Sequence, residues 1–185
     1  MEHLDSVALD DGLGAIRAAP TDTGTLELIV ARPTAGERQI LEVATIDTEL
    51  GLIGDNWRER GSRHTPDGSP EPERQLNVMS VRAAELVAQG LERVPLAGDQ
   101  LFLDLDLSVA NLPTGSLLAI GDVAVIEVTP PSHTGCAKFT QRFGLDAMRF
   151  VNSPVGKELR LRGLCARVVA PGVIRSGDAV VVTRP

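Results

Sequence analysis

Glycine and proline interrupt the chain along its whole length, with 18 glycines and 12 prolines among 185 residues. Both residue types end helices and form turns, so their density predicts many short strands joined by turns and disfavours a helical bundle. Hydrophobic residues make up 43% of the chain and charged residues 23%, a composition that supports a buried core and excludes disorder. At roughly 150 residues per domain, we predict a single domain over residues 1–185.

Apolar runs indicate where several strands lie. Residues 25–32 and 39–46 are rich in Leu, Ile and Val, and we expect them to pair as a hairpin. Leucine alternates with Phe and Asp over residues 101–107, which predicts a strand with one buried face. Four Gly-Asp pairs predict turns that lead into strands, at positions 54–55, 98–99, 121–122 and 177–178.

A long polar segment precedes a further strand and a helix. Residues 61–74 consist of Gly, Pro and polar or charged residues, which predicts an exposed loop able to act as a lid. A strand over residues 75–79 then leads into a helix over residues 81–89, with Ser80 as the N-cap and Gly90 as the terminator. Because helices and strands do not alternate regularly, we predict a mainly β protein, a barrel with a few peripheral helices.

Composition also excludes two classes of partner. The chain has only five aromatic residues and a net charge of −7, which disfavours stacking on bases and attraction to phosphate backbones. No apolar run approaches the ~18 residues that span a bilayer, and the acidic start does not resemble a secretion signal. We therefore expect a cytoplasmic protein that binds neither nucleic acid nor membrane.

The two cysteines lie in different sequence contexts. They are too few for a disulfide scaffold, and a closed zinc site would need most of the three scattered histidines. Cys165 lies in an apolar run typical of a buried strand, so we interpret it as structural. Cys136 lies in a segment whose prolines and glycine exclude regular structure, and such loops often carry chemistry.

Cys136 also precedes a predicted helix over residues 137–151 that Gly144 interrupts. With Thr134 as a possible N-cap, the helix dipole and Lys138 would both favour the thiolate. A thiol that lies incidentally in a turn is an equally good interpretation of the spacing. A Cys-His hydrolase that pairs Cys136 with His64 or His133 is a weaker alternative, because no third member that would orient the histidine is evident.

Positive charge is concentrated around Cys136. Residues 133–175 contain eight Lys and Arg residues against two acidic ones, a net charge of +6 in an acidic chain. A solvated basic face explains any one of these residues, but the whole cluster predicts attraction of a small anionic ligand. Its cations are Lys138, Arg142, Arg149, Lys157, Arg160, Arg162, Arg167 and Arg175.

Four stretches together resemble the MOSC family, the domain found at the C-terminus of molybdenum-cofactor sulfurases and also as stand-alone bacterial proteins. They are Gly-Leu-Ile-Gly-Asp at 51–55, Leu-Leu-Ala-Ile-Gly-Asp at 117–122 with its strand to 130, the loop of Cys136, and residues 165–178. The chain departs from the family pattern at Asn56-Trp57, at Gly135 where many members have proline, and at Gly98-Asp99-Gln100-Leu101 in place of Gly-Glu-Asn-Leu.

The resemblance implies a distorted mixed β-barrel in which Cys136 ligates molybdenum or carries sulfur. It implies binding of the molybdenum cofactor, molybdopterin, as a small anionic partner. Family members that reduce N-hydroxylated compounds imply oxidoreductase activity, which would need an electron-donor protein. The alternative is a non-catalytic carrier of sulfur or cofactor served by a cysteine desulfurase, with pyridoxal phosphate bound by that partner and not by this chain. The candidate cofactor-binding residues are His133, Thr134, Lys138, Arg142, Arg162 and Arg167.

Overall fold

The computed structural model describes residues 3–185. Its strands are β1 (Thr23–Ala31), β2 (Gln39–Leu41), β3 (Val43–Asp47), β4 (Gly51–Leu52), β5 (Leu76–Ser80), β6 (Leu101–Asp104), β7 (Leu117–Ile120), β8 (Ala124–Ser132), β9 (Leu164–Ala170), β10 (Gly172–Arg175) and β11 (Ala179–Thr183). Its α-helices are α1 (Ser6–Asp11), α2 (Leu13–Arg17), α3 (Trp57–Arg60), α4 (Val81–Ala88), α5 (Ala137–Asn152) and α6 (Pro154–Glu158). Short 3-10 helices cover Pro72–Arg74 and Leu91–Ala97.

Seven strands close into a barrel in the order β11, β7, β8, β9, β5, β6 and β1. The ring closes because β1 pairs with β11, with Thr23 opposite Val181. The pair of β5 and β6 is parallel, and the other neighbours around the ring are antiparallel. The predicted mixed β-barrel with peripheral helices is therefore confirmed.

The barrel has an inner core and an outer core. The inner core is formed by aliphatic side chains of the barrel strands, whereas the outer core lies between the barrel and its helices. Strand β6 contributes to both, because Leu101 and Leu103 face inward and Phe102 packs with the helices. The leucine face of residues 101–107 is buried as predicted, but the strand ends at Asp104, and helices also bury Phe102 on its outer face.

The predicted hairpin forms only over its first part. Strand β2 pairs antiparallel with β1, but the second strand divides after Leu41. Strand β3 then joins β10 and β4 in a separate three-stranded sheet. Apolar side chains of that sheet, including Ile46 and Ile174, belong to the inner core. The small sheet thus completes the core of the barrel.

Helix α4 follows β5 as predicted, but its ends differ in detail. Ser80 occupies the N-cap position without a capping hydrogen bond, and its hydroxyl is buried. The helix ends at Ala88, one residue earlier than predicted, and Gln89 is its C-cap in the left-handed conformation, directly before the predicted terminator Gly90. None of the helices described over residues 3–185 is long and apolar enough to cross a membrane.

Candidate functional site

A cleft of about 880 Å³ opens where the loop before α5 meets the long polar loop of residues 61–74. The loop that the sequence predicts to be exposed forms one wall, and the segment from Ser132 to Lys138 forms the other. The side chains that line the cleft are mostly polar or charged: Trp57, Arg60, Ser62, Arg63, His64, Glu71, Arg74, Asn77, Ser132, His133, Thr134, Cys136 and Lys138, with the backbone of Gly61.

Cys136 is the exposed thiol of this cleft, and it occupies the N-cap position of α5 in place of the expected Thr134. Its sulfur makes no capping hydrogen bond of normal geometry. Partial burial raises the pKa of Cys136, but the backbone N–H groups of Phe139 and Lys138 and the charge of Arg162 outweigh that effect and lower it overall. An exposed thiol of lowered pKa is what the reactive interpretation of Cys136 requires, and its reactivity stays a prediction.

Asn152 holds the loop that carries Cys136 in place. Its Oδ1 accepts a hydrogen bond from the Gly135 N–H at 2.9 Å, and its Nδ2 donates to the Gly135 carbonyl at 3.1 Å. A straight helix of 16 residues would separate its ends by about 24 Å. The contact is possible because Gly144, with φ 91° and ψ 167°, breaks α5 and turns its second half back. The predicted interruption at Gly144 is therefore confirmed, and it brings Asn152 to the thiol loop.

His133 belongs to a buried charge network below the cleft. Its Nε2 lies 3.0 Å from Asp99 Oδ1, and Arg162 Nη1 donates to the other oxygen of Asp99 at 2.6 Å. Burial opposes ionisation of Asp99, but Arg162 and His133 outweigh it and lower the pKa to about 2. Burial and the charge of Arg162 lower the pKa of His133. A neutral ring then donates through Nε2 and keeps Nδ1 as an acceptor.

Asp99 is thus a residue that orients a histidine, which the sequence did not reveal. No hydrogen bond joins His133 to Cys136 among the described residues, so the arrangement differs from a hydrolase triad, in which the base contacts the nucleophile. The signal in the sequence was the match of Gly98-Asp99-Gln100-Leu101 to a family stretch, whereas we interpreted the Gly-Asp pair as a turn.

A second buried ion pair lies close to the first. Arg32 binds Asp55 through two guanidinium nitrogens, at 2.7 and 2.8 Å, and donates to the Gly98 carbonyl at 2.9 Å. Gln100 links this pair to β5, because its Nε2 donates to Asp55 Oδ1 at 3.4 Å and its Oε1 accepts a hydrogen bond from the Asn77 N–H at 2.8 Å. Two of the four Gly-Asp pairs therefore supply buried carboxylates near the cleft in addition to forming turns.

The cations that line the cleft come mainly from the polar loop. Arg60, Arg63 and Arg74 line it together with Lys138. Arg74 pairs with Glu71 at 3.1 Å, whereas Arg60 and Arg63 form no ion pair with another described residue. Burial and the nearby charge of Arg32 lower the pKa of Arg60. The charge count over residues 133–175 missed these arginines because they precede that segment.

The structure brings together four of the seven predicted site residues at the cleft, namely His133, Thr134, Cys136 and Lys138. The other three are hydrogen-bonded elsewhere. Arg162 is buried against Asp99, and Arg142 donates to the Leu96 carbonyl at 2.6 Å. Arg167 lies on the exposed side of β9, paired with Glu127 at 2.9 Å.

Cys165 is buried in β9, in agreement with its interpretation as a structural thiol. Burial raises its pKa to about 11, so it stays protonated near neutral pH. Its Sγ contacts Asn77 Oδ1 at 3.7 Å and Arg74 Nη1 at 3.9 Å. The two cysteines therefore differ in both exposure and acidity.

The fold and the cleft define a mixed β-barrel protein with an acidic thiol beside a set of cations. The family model for the MOSC domain matches residues 55–181, and the chain belongs to the MOSC domain family. This family is associated with the molybdenum cofactor. The match confirms the resemblance identified from the sequence.

Solved structures support the same fold. The YuaD protein from Bacillus subtilis aligns with a TM-score of 0.60 at 17% identity, over 86% of this chain and 95% of that one. YiiM from Escherichia coli aligns with a TM-score of 0.54 at 21% identity, over 86% of this chain and 69% of that one. YiiM from Geobacillus stearothermophilus gives a TM-score of 0.54 at 14% identity, over 89% and 74% of the two chains. No curated protein matches the sequence.

Proposed function

We propose that the protein binds the molybdenum cofactor, with Cys136 as the single protein ligand to the metal. The observation that carries this proposal is an exposed thiol of lowered pKa in a cleft lined by several cations. A thiolate is a soft ligand, and deprotonation is the step that metal binding requires of a cysteine.

The donor set of the cleft fits such a cofactor. No group of three or more His, Cys, Asp or Glu side chains among residues 3–185 could hold a metal ion. A metal at Cys136 would therefore bring its remaining ligands on an organic group, as molybdopterin does. Arg60, Arg63 and Lys138 would hold the phosphate of that group, because their charges face the cleft without an ion-pair partner among the described residues. Of the cationic residues that the sequence predicts to bind the cofactor, this assignment retains only Lys138. Arg60 and Arg63 take the place of Arg142, Arg162 and Arg167.

We further propose that the loaded protein reduces N-hydroxylated compounds. The reaction breaks an N–O bond, consumes two electrons and two protons, and releases an amine and water. When bound, the cofactor supplies the redox change at the metal. A separate donor protein would supply the electrons, since the sequence shows no flavin, haem or iron–sulfur motif.

The chain's own residues would bind and orient the substrate. Asp99 accepts the Nε2 proton of His133, which leaves Nδ1 free to accept a hydrogen bond from an N–H or O–H group in the cleft. Asn152 holds the Cys136 loop through two hydrogen bonds to Gly135. Arg162 and His133 outweigh the effect of burial and keep the pKa of Asp99 at about 2, so that Asp99 is ionised, and Arg32 forms a buried ion pair with Asp55.

The alternative is transfer of sulfur, and the accessible thiol of lowered pKa favours it equally well. The Cys136 thiolate would attack the outer sulfur of a donor cysteine persulfide, form a new S–S bond and release the donor thiolate. This exchange needs no net oxidant. The donor would be a cysteine desulfurase that carries its own pyridoxal phosphate.

Molybdenum content measured by elemental mass spectrometry separates these functions. We expect stoichiometric metal in wild type purified from a host that makes the cofactor, and none in Cys136→Ser. Cys165→Ala is the matched control and should retain the metal, because its thiol is buried and protonated. Metal that is absent from wild type, together with a persulfide on Cys136, would replace the cofactor proposal with sulfur transfer. Loaded protein that fails to reduce any N-hydroxylated compound with a chemical reductant would refute the oxidoreductase step alone.

A further inference from the structure

A second, smaller cavity lies behind the thiol loop. It has a volume of about 200 Å³. It shares only residues 132–134 with the cleft, and Cys136 is not among its lining residues. The segment from Ser132 to Thr134 therefore forms a wall between the two spaces.

Two cationic residues line this cavity. Lys157 and Arg160 line it, and no carboxylate is found among its lining residues. Lys157 is exposed and makes no side-chain ion pair with another described residue. Arg160 uses Nη1 to bind the Leu112 carbonyl at 2.6 Å, while no hydrogen bond joins its Nε or Nη2 to another described residue. Two positive charges thus adjoin the cavity without an acidic partner in its wall.

The backbone of Arg160 adds a second observation. Its φ of 48° lies in the left-handed region, which is unfavourable for a residue with a Cβ. Strained positions of this kind persist where the surrounding structure holds them, and they are concentrated at binding sites. Here the turn is held by the Gly163 N–H, which donates to the Arg160 carbonyl at 2.7 Å.

Apolar residues also line the cavity. Val109, Pro131, Val151 and Leu164 supply aliphatic surface to its lining. At about 30 Å³ for each water of the liquid, a volume of 200 Å³ accommodates roughly six non-hydrogen atoms. The shape and chemistry therefore suit a small molecule that has one anionic end and a short apolar body.

We propose that this cavity is a binding site for a small monocarboxylate, whose charge meets Lys157 and Arg160 while its alkyl group packs on the aliphatic wall. A carboxylate matches the fork of an unpaired guanidinium, and the aliphatic wall disfavours a purely polar ion such as inorganic phosphate. The site is independent of the molybdenum proposal, because it neither includes Cys136 nor requires a metal.

Butyrate, with six non-hydrogen atoms, is the probe for this site. We expect a dissociation constant on the order of 1 mM from a ligand of this size, measured from methyl NMR shifts of Val109, Val151 and Leu164 at constant ionic strength. Lys157→Gln should weaken binding about five-fold, since it removes one exposed charge contact without disturbing an ion pair. Lys138→Gln is the matched control, because Lys138 lines only the larger cleft. The Lys138→Gln protein should bind butyrate with the affinity of wild type.

Several results would overturn the proposal. One is that these methyl signals do not shift at butyrate concentrations up to about 20 mM. Another is that the neutral isostere butyramide binds as tightly as butyrate. A third is that Lys138→Gln loses butyrate binding while Lys157→Gln retains it. The last result would place the anion in the cleft. Failure of the molybdenum proposal would leave all of these outcomes unchanged.

Discussion

The contact between Asn152 and Gly135 predicts a specific effect on the thiol of the next residue, Cys136. Replacing Asn152 with alanine removes both hydrogen bonds to Gly135. At about 0.5–1.5 kcal/mol for each, the free energy of unfolding should fall by roughly 2 kcal/mol. In a chain of this length, that corresponds to a decrease of about 4–8 °C in Tm.

The same change should raise the pKa of Cys136. The pKa is lowered by the N–H groups of Phe139 and Lys138, and a released loop no longer holds the sulfur beside them. At a pH well below the thiol pKa, each unit of increase lowers the thiolate fraction about ten-fold, while the intrinsic nucleophilicity rises about three-fold. The labelling rate should therefore fall about three-fold per unit.

The assay is the pH dependence of thiol labelling in a Cys165→Ala background. Asn111→Ala is the control, because the Asn111 amide likewise holds backbone in place, with Nδ2 donating to the carbonyls of Thr21 and Asp106. Its Oδ1 accepts from Arg184, and none of these residues lines the cleft. The Asn111→Ala variant should lower Tm and leave the labelling profile of Cys136 unchanged. An unchanged profile in Asn152→Ala, with Tm reduced as in the control, would refute the positioning role and leave Asn152 a purely structural residue.

Three further predictions follow from the same geometry. Gly144→Ala should destabilise the protein by about 1–2 kcal/mol, because φ is 91° and the new Cβ would lie 3.0 Å from His3; Gly14→Ala, where nothing lies within 4 Å, should show no such loss in urea unfolding. The pKa of Asp99 is lowered from 3.8 to about 2, so about 2 kcal/mol of stability present above pH 4 should be lost as the pH falls from 4 to 2, and an Asp99→Asn variant should lack that part of the pH dependence. Lys138→Gln should slow labelling of Cys136, since the charge of Lys138 lowers the thiol pKa, whereas Arg167→Gln should not; equal rates in the two variants would contradict this electrostatic account.

Features that depend on neighbouring residues were predictable from the sequence. The interruption at Gly144, the exposed thiol before α5 and the buried thiol of Cys165 all follow from local spacing. The barrel was predictable because the density of turns and the lack of regular alternation between helices and strands exclude most other arrangements. The structure also gives a physical reason for Gly135, where many family members have proline. A proline at this position would lack the N–H that donates a hydrogen bond to Asn152 Oδ1.

Features that depend on distant contacts were not predictable. His133 meets Asp99 across 34 residues and Arg162 meets Asp99 across 63, and no periodicity encodes such pairs. Strand β6 alternates leucine with other residues, but the burial of Phe102 depends on helices packed against its outer face. The charge count near Cys136 likewise found Lys138 but not Arg60 or Arg63, which reach the cleft from an earlier loop.

The two buried ion pairs indicate how the cleft keeps a stable electrostatic field. A buried ion pair seldom stabilises a fold more than apolar residues of similar size would, so stability alone is a weak reason for Arg32–Asp55 and Arg162–Asp99. With a pKa of about 2, Asp99 is ionised throughout the physiological range, and arginine does not lose its proton there. Arg162 therefore exerts a constant effect on Cys136 as the pH changes. A change in the ionisation of Cys136 with pH therefore reflects the thiol itself and not a change in the charge of Arg162.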